Sequence, residues 1–423
     1  MTVTIQPGAV SGTVRAIPSK SAAHRLLICA ALADKPTHVF CEKESQDIAA
    51  TVRCLQGLGA SIWQEGGAYR VVPIHRDRLP QTCTLDCGES GSTLRFLVPV
   101  VCALGVTAVF QMAGRLAQRP MEPLATQLRE HGCTITHRPD LDRMEVSGQL
   151  QPGTFTIPGN VSSQFITGLL FALPLLAGES TLVVEGELES KGYVDMTLSA
   201  LQTFGVTPPQ RDNAWTIAPA VFRSPGTLQV EGDWSNAAPW LCMGVLGGQG
   251  VGVDGMDPRS LQGDKAVCDV LARMGGILTA RETGPTACPG TLRPTTIDAR
   301  NIPDLVPVLS GVAASVPGQT IITGAARLRI KESDRLVTTA QTLNALGGDV
   351  EETEDGLIIR GKARLSGGTV DAQGDHRIAM LAAVASVVCD GPVTITGAEA
   401  IRKSYPTFWQ ELRELGKEVT EEP

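Results

Sequence analysis

Leu343-Asn344-Ala345-Leu346-Gly347 closes an apolar helical stretch, and the chain contains six such closures. The others end at Gly59, Gly132, Gly205, Gly275 and Gly416, so successive glycines stand 73, 73, 70, 72 and 69 residues apart. A leucine lies four residues before each glycine: Leu55, Leu128, Leu201, Leu271, Leu343 and Leu412. Five of the six glycines are also directly preceded by an apolar residue (Leu58, Phe204, Met274, Leu346, Leu415), and the exception is His131. Leucine at that spacing shares one helical face, and a glycine after the last turn can adopt the left-handed conformation. Self-similarity at a fixed period means one structural unit used repeatedly. A period near 70 residues is too long for a solenoid repeat and suits a small α/β subdomain. The chain therefore reads as six copies of one unit.

The residues after each glycine extend the pattern. Gly132 is followed by CTITHR (133–138), the turn PDLD and the returning strand RMEVSG (143–148). Gly347 is followed, after one residue, by DVEE, TEDG and LIIRG (349–361), and Gly59 by Ala60-Ser61-Ile62 and YRVVP (69–73). Each unit thus has a helix and a hairpin. Second helices are expected at 19–32, 92–104, 161–176, 234–246, 303–316 and 376–388. All six are strongly apolar, which predicts burial on every side. The units divide three and three. One lobe would comprise 1–18 with 233–423, the other 19–232, joined by a short two-strand hinge.

Bulk properties narrow the function. The 423 residues allow two or three domains with substantial cores. A net charge of −8 argues against a general nucleic-acid binder, so any anion site must be a local gathering of cations. The 11 cysteines are scattered without CxxC pairs or a His/Cys cluster of zinc spacing, so no metal site is expected. Free thiols in apolar company favour a reducing, cytoplasmic compartment. The first residues, MTVTIQPGAV, lack the blocks of a signal peptide. The most apolar stretches, 94–110 and 165–177, are short and interrupted by proline, which reads as buried core and not membrane span.

Polar chemistry collects where the apolar helices begin. Pro18-Ser19-Lys20-Ser21 leads to Arg25; Gly88-Glu89-Ser90-Gly91 leads to Arg95. Val161-Ser162-Ser163-Gln164, Pro303-Asp304 and Gly374-Asp375-His376-Arg377 open three more. Free N–H groups and the positive end of the helix dipole suit phosphate or carboxylate. Each start alone reads as an ordinary N-cap. Five together, with Arg119 and the dense segments 327–335 and 402–406, suit a substrate of several negative charges or two anionic substrates. No GxGxxG, GxxxxGK[ST] or GxSxG pattern stands in context. Asp304, Glu332, Asp375 and His376 are candidates for proton transfer.

The set PSKSAAHR (18–25), SGSTLRF (90–96), QRPM (118–121), VSSQF (161–165), ESKGY (189–193), IPD (302–304), IKESDR (330–335), GDHR (374–377) and RKSYP (402–406) resembles the 3-phosphoshikimate 1-carboxyvinyltransferase family, the EPSP synthases. The resemblance runs from about residue 5 to 415. It implies an α/β fold of the α+β type, with two lobes of three βαβαββ-like units each, an inside-out α/β barrel. It implies transfer of the enolpyruvyl group of phosphoenolpyruvate to the 5-hydroxyl of shikimate 3-phosphate, by addition and elimination through a tetrahedral ketal. By position, Lys20, Ser21, Arg25, Ser162, Ser163, Gln164, Ser190, Asp304 and Lys331 would hold shikimate 3-phosphate, with Tyr193 nearby. Lys20, Gly91, Arg119, Arg335, Arg377 and Lys403 would hold phosphoenolpyruvate. Asp304 would accept the hydroxyl proton, Glu332 would protonate the methylene carbon, and Lys20 would contact both substrates. The cations are expected to share one cleft between the lobes in a closed state. Neither metal nor organic cofactor, nucleic acid nor membrane is implied, and a monomer is expected.

Two positions depart from the family's usual pattern. Glu89 and Ser90 stand where Asn and Ala are frequent, which bears on the phosphoenolpyruvate pocket and its tolerance of the competing inhibitor glyphosate. Arg327 stands where an Asn is common in some members, so it receives no substrate role. The sister family acting on UDP-N-acetylglucosamine typically has Lys-Asn in the first motif and a reactive cysteine on a mobile loop; here the residues are Lys20-Ser21 and RLAQR (115–119). A non-catalytic anion-binding protein on the same scaffold would not need Asp304 and Glu332, and both are present.

Overall fold

A computed structural model describes all 423 residues, and they divide into two units: Pro18–Val230, and Met1–Ile17 together with Glu231–Pro423. The six glycines that set the period have φ of 103°, 93°, 78°, 97°, 91° and 95°, all in the left-handed region. The six leucines before them are fully buried. At five of the six ends, the N–H following the glycine returns to the carbonyl of that leucine (Leu55, Leu201, Leu271, Leu343, Leu412) at 2.8–3.2 Å. This is the six-to-one bond of the Schellman closure, which satisfies a carbonyl the helix leaves open and turns the chain into the next strand. At the exception His131 is stacked on Phe155, ring centroids 3.9 Å apart.

Six four-stranded sheets follow from the six closures, and all have one strand order. The segment 82–148 shows the pattern. Thr82–Asp86 lies parallel to Thr107–Gln111, which lies antiparallel to Arg143–Gly148, which is closed by Cys133–Arg138. Helix Gly91–Leu104 connects the parallel pair, and Leu124–Glu130 precedes the hairpin. The sheets at 154–217 and 296–361 repeat it without interruption.

The other three sheets take a strand from far away in sequence. Ser11–Arg15 pairs in parallel with Gly250–Asp254, although the next helix in the chain is Lys20–Ala31 of the other unit. Thr227–Gln229 pairs with Thr37–Phe40, although helix Trp234–Leu246 follows it. The N-terminal strand Thr2–Ile5 sits between Val393–Thr396 and Val419–Glu422, so the two ends of the chain build the sixth hairpin together.

Each unit has its own hydrophobic core around three apolar helices. All ten residues of His376–Ala385 are buried, as are Trp234 to Val245 on the next. Two helices are shorter than their composition suggests. The expected 161–176 is α-helical over Ser163–Ala172, then tightens to a 3-10 turn at Pro174. The expected 303–316 begins as a 3-10 turn, Pro303–Leu305, before Val306–Ala313. Pro174 lacks the donor that the α ladder needs and clashes with the preceding turn, whereas Pro303 stands at the first position of its turn, where no donor is needed. Glycine brings helices Gly91–Leu104 and Ser163–Ala172 together: a Cβ on Gly168 would lie 2.3 Å from the Arg95 carbonyl oxygen. That close crossing puts Arg95 beside Gln164, one turn earlier. No helix is long and apolar enough to cross a membrane.

Candidate active site

The unit Pro18–Val230 carries Lys20, Ser21, Arg25, Gly91, Arg119, Ser162, Ser163, Gln164 and Ser190. Lys20 is the first residue of its helix, capped by Ser19, and its Nζ lies 2.8 Å from Asp47 Oδ2. One turn on, Arg25 is 3% exposed, with Nε to Thr197 Oγ1 at 2.9 Å and Nη2 to the Tyr193 carbonyl at 2.9 Å. Burial pulls its guanidinium down to about 10, which leaves it charged at neutral pH. His24, between them, is buried against Thr51 (2.7 Å), and burial pushes it down to about 3, so it is neutral.

Gly91 opens its helix beneath two guanidinium groups. A Cβ there would fall 2.8 Å from Arg119 Nη1 and 3.1 Å from Arg95 Nη1. Only glycine leaves the two cations room over that helix start. Arg95 Nη1 donates to Gln164 Oε1 (2.8 Å) and Nη2 to the Pro120 carbonyl (3.1 Å), next to Arg119. Gln164 Nε2 donates to Ser92 Oγ at 2.9 Å, and Ser162 caps the same helix start by accepting from the Gln164 N–H. Ser190 holds a left-handed φ of 54° while buried; a non-glycine residue in that region stores strain of the kind found at ligand sites. Glu89 packs its carboxylate against Gly114, where a Cβ would come within 2.8 Å of Oε2.

The other unit carries Asp304, Lys331, Glu332, Arg335, Arg377 and Lys403. Arg335 is 2% exposed and touches three carboxylates. Nε meets Asp375 Oδ2 at 2.7 Å, Nη1 meets Asp304 Oδ1 at 2.9 Å, and Nη2 meets Glu332 Oε2 at 2.8 Å. Burial would lower this guanidinium; Asp375, Glu332 and Asp304 overcome it and raise it well above its usual value. Lys331 Nζ lies 3.6 Å from Asp304 Oδ1, and Lys403 Nζ lies 3.9 Å from Glu332 Oε1. Burial would raise the Asp304 carboxyl, but Lys331, Arg335 and Arg377 hold it far below the carboxylate range.

Asp375 caps the helix His376–Ala385 by accepting from the Arg377 N–H (2.9 Å), and it also orients Arg335. Helix capping and ion pairing therefore coincide in one carboxylate. Arg377 Nη1 donates to the Ser235 carbonyl at 2.7 Å. Arg327, assigned no substrate role, turns Nη2 to the Arg300 carbonyl at 2.6 Å.

Some of this chemistry is invisible in sequence. Asp47 looks like any acid in a first helical turn, and only the pairing with Lys20 distinguishes it. Arg95 lies within a quoted motif, yet its role as a brace between Gln164 and Pro120 needs the Gly168 crossing. Asp264, buried and hydrogen-bonded by Ser235 Oγ, has no sequence signal at all. Burial, then the nearby Asp304 charge, push its carboxyl up to about 7 against the opposing pull of Ser235 and Arg377.

Comparison with known proteins bears on the family and the fold. The family model "EPSP synthase (3-phosphoshikimate 1-carboxyvinyltransferase)" matches residues 5–412. A 3-phosphoshikimate 1-carboxyvinyltransferase of Clostridium acetobutylicum is 41% identical over 99% of this chain and 98% of its own length. One from Clostridium kluyveri is 40% identical with the same coverage. The solved EPSP synthase of Acinetobacter baumannii superimposes with a TM-score of 0.80 at 30% identity, covering 99% of this chain and 100% of that one. Its fold, two lobes of an inside-out α/β barrel, is the fold of this chain. By the family model and these relatives, the chain belongs to the EPSP synthase (3-phosphoshikimate 1-carboxyvinyltransferase) family.

Proposed function

We propose that this chain transfers the enolpyruvyl group of phosphoenolpyruvate to the 5-hydroxyl of shikimate 3-phosphate and releases phosphate. The observation that carries the reading is the buried Arg335, which holds the two proposed proton-transfer carboxylates, Asp304 and Glu332, on neighbouring nitrogens. Lys20, Ser21, Arg25, Ser162, Ser163, Gln164, Ser190, Asp304 and Lys331 are assigned to shikimate 3-phosphate. Lys20, Gly91, Arg119, Arg335, Arg377 and Lys403 are assigned to phosphoenolpyruvate. All of these come from one chain, so a monomer suffices. The eleven free thiols suit a cytoplasmic location.

The chemistry follows from charge. An enol carbon becomes electrophilic as its methylene is protonated, so an acid must stand beside it and fixed cations must hold the phosphate and carboxylate. The hydroxyl oxygen adds to the enol carbon while its proton passes to Asp304 and a proton from Glu332 reaches the methylene. Loss of phosphate and of one methyl proton then restores the vinyl ether. Exclusion of water protects the intervening cationic centre. A carboxyl held as low as Asp304 is a weak base. A substrate anion that shares Lys331, Arg335 or Arg377 weakens their hold and raises it toward its task. Substrate charge therefore readies Asp304 to accept the proton. Glu332 faces two cations of its own, Arg335 Nη2 at 2.8 Å and Lys403 Nζ at 3.9 Å.

The test is Asp304→Ala. Shikimate 3-phosphate binding should persist while phosphate release from phosphoenolpyruvate, measured with shikimate 3-phosphate present, falls by orders of magnitude. Undiminished turnover removes Asp304 from the mechanism.

A further inference from the structure

One helix, Trp234–Leu246, anchors two segments that bear cations. The Ser235 carbonyl takes Arg377 Nη1 at 2.7 Å. At the next residue, Asn236 Nδ2 donates to Ser404 Oγ at 3.0 Å, and one turn later Trp240 Nε1 donates to the Tyr405 hydroxyl at 3.0 Å. The Tyr405 hydroxyl donates onward to Glu411 Oε2, and Glu411 Oε1 accepts from Thr407 Oγ1 at 2.7 Å. The Trp240 ring stacks on Phe408 with centroids 4.6 Å apart, and Tyr405 stands edge-on to both rings. Asn236, Ser404 and Tyr405 are each 1% exposed.

Lys403 is the residue directly before this pinned pair and the last of the 3-10 turn Ala398–Lys403. A 3-10 turn has poor hydrogen-bond geometry and little stiffness of its own. Ser404 and Tyr405 therefore set where the Lys403 stem leaves the backbone. Packing alone does not account for the network. A phenylalanine at 405 would fill nearly the same volume, and the hydroxyl serves only Trp240 and Glu411.

We propose that Asn236, Trp240 and Tyr405 are positioning residues that hold Lys403 at a set distance from Arg377, with helix Trp234–Leu246 as the shared ruler, for a donor bearing both carboxylate and phosphate. The inference rests on the assignment of Lys403 and Arg377 to phosphoenolpyruvate. Its logic is preorganisation: fixing in advance where a flexible lysine stem leaves the backbone cuts the ordering cost of binding an anion.

The experiment measures steady-state KM for each substrate, with the other saturating, in Tyr405→Phe and Ser404→Ala. Each should raise KM for phosphoenolpyruvate about fivefold, the size of one lost hydrogen bond. KM for shikimate 3-phosphate and kcat should stay near the parent values. In a Lys403→Ala background, Tyr405→Phe should add nothing further to the phosphoenolpyruvate KM, because the residue it positions is gone. An unchanged phosphoenolpyruvate KM in both single variants overturns the proposal. So does an equal rise for both substrates, or a full additional effect without Lys403. If Tyr405→Phe does not fold, Ser404→Ala alone decides between these outcomes. A Lys403→Ala enzyme with unaltered phosphoenolpyruvate KM overturns the assignment of Lys403 itself, and the positioning role with it.

Discussion

Arg335→Gln removes the charge on which three carboxylates converge. Glutamine offers two donors where the guanidinium places four bonds: two to Asp375, one to Asp304 and one to Glu332. Asp375 is fully buried, so it cannot recruit water in compensation. Breaking a buried ion pair from one side costs about 3–5 kcal/mol, most of it the stranded charge. The loss should fall on the unit that holds Arg335. Urea unfolding can report on that unit, because Trp234, Trp240 and Trp409 lie in it. At a slope of about 1–3 kcal/mol per M, the midpoint should fall by roughly 1 M or more. Catalysis should fall further than stability explains, with kcat/KM for phosphoenolpyruvate down by at least about a hundredfold, or ~2.7 kcal/mol. Neutralising the stranded partner should repair part of the damage: Arg335→Gln with Asp375→Asn should be more stable than Arg335→Gln alone. A loss of stability under about 1 kcal/mol, or no recovery in the double variant, would show that Arg335 is not the electrostatic centre described here.

Two other perturbations test separate features. Gly91→Ala places a methyl 2.8 Å from Arg119 Nη1, so the guanidinium must shift. The phosphoenolpyruvate KM should rise about tenfold, ~1.4 kcal/mol, with shikimate 3-phosphate binding intact; equal KM values would free Arg119 from that role. Asp264 is raised from 3.8 to about 7, so the folded state binds more protons than the unfolded chain across that window, and stability contributed by this group falls as pH rises from about 4 to about 7. Asp264→Asn should remove that slope: its stability relative to the parent protein should grow from pH 4 to pH 7 and then level off. A pH-independent difference would place the Asp264 proton elsewhere.

Much of the architecture is legible in the chain because its cause is local. A glycine that must adopt positive φ after a leucine-bearing helix leaves a mark in one dimension, and six marks reveal six units. The apolar helices declare their burial by composition, and the polar groups at their starts mark candidate anion sites. Helix ends are less legible. Pro174 ends one α-helix in a 3-10 turn, another opens with the 3-10 turn Pro303–Leu305, and the exchange of strands Ser11–Arg15 and Thr227–Gln229 between sequence neighbours and spatial partners has no local signal.

The residues alone determine the repeat, the family resemblance and which side chains carry charge, since these depend on spacing and residue type. Tertiary structure decides which charges meet. Asp375 serves Arg335 across 40 positions, Asp47 serves Lys20 across 27, and Asn236 serves Ser404 across 168. Electrostatic strength depends on distance and burial, and both are set by how the sheets and helices close, not by order along the chain.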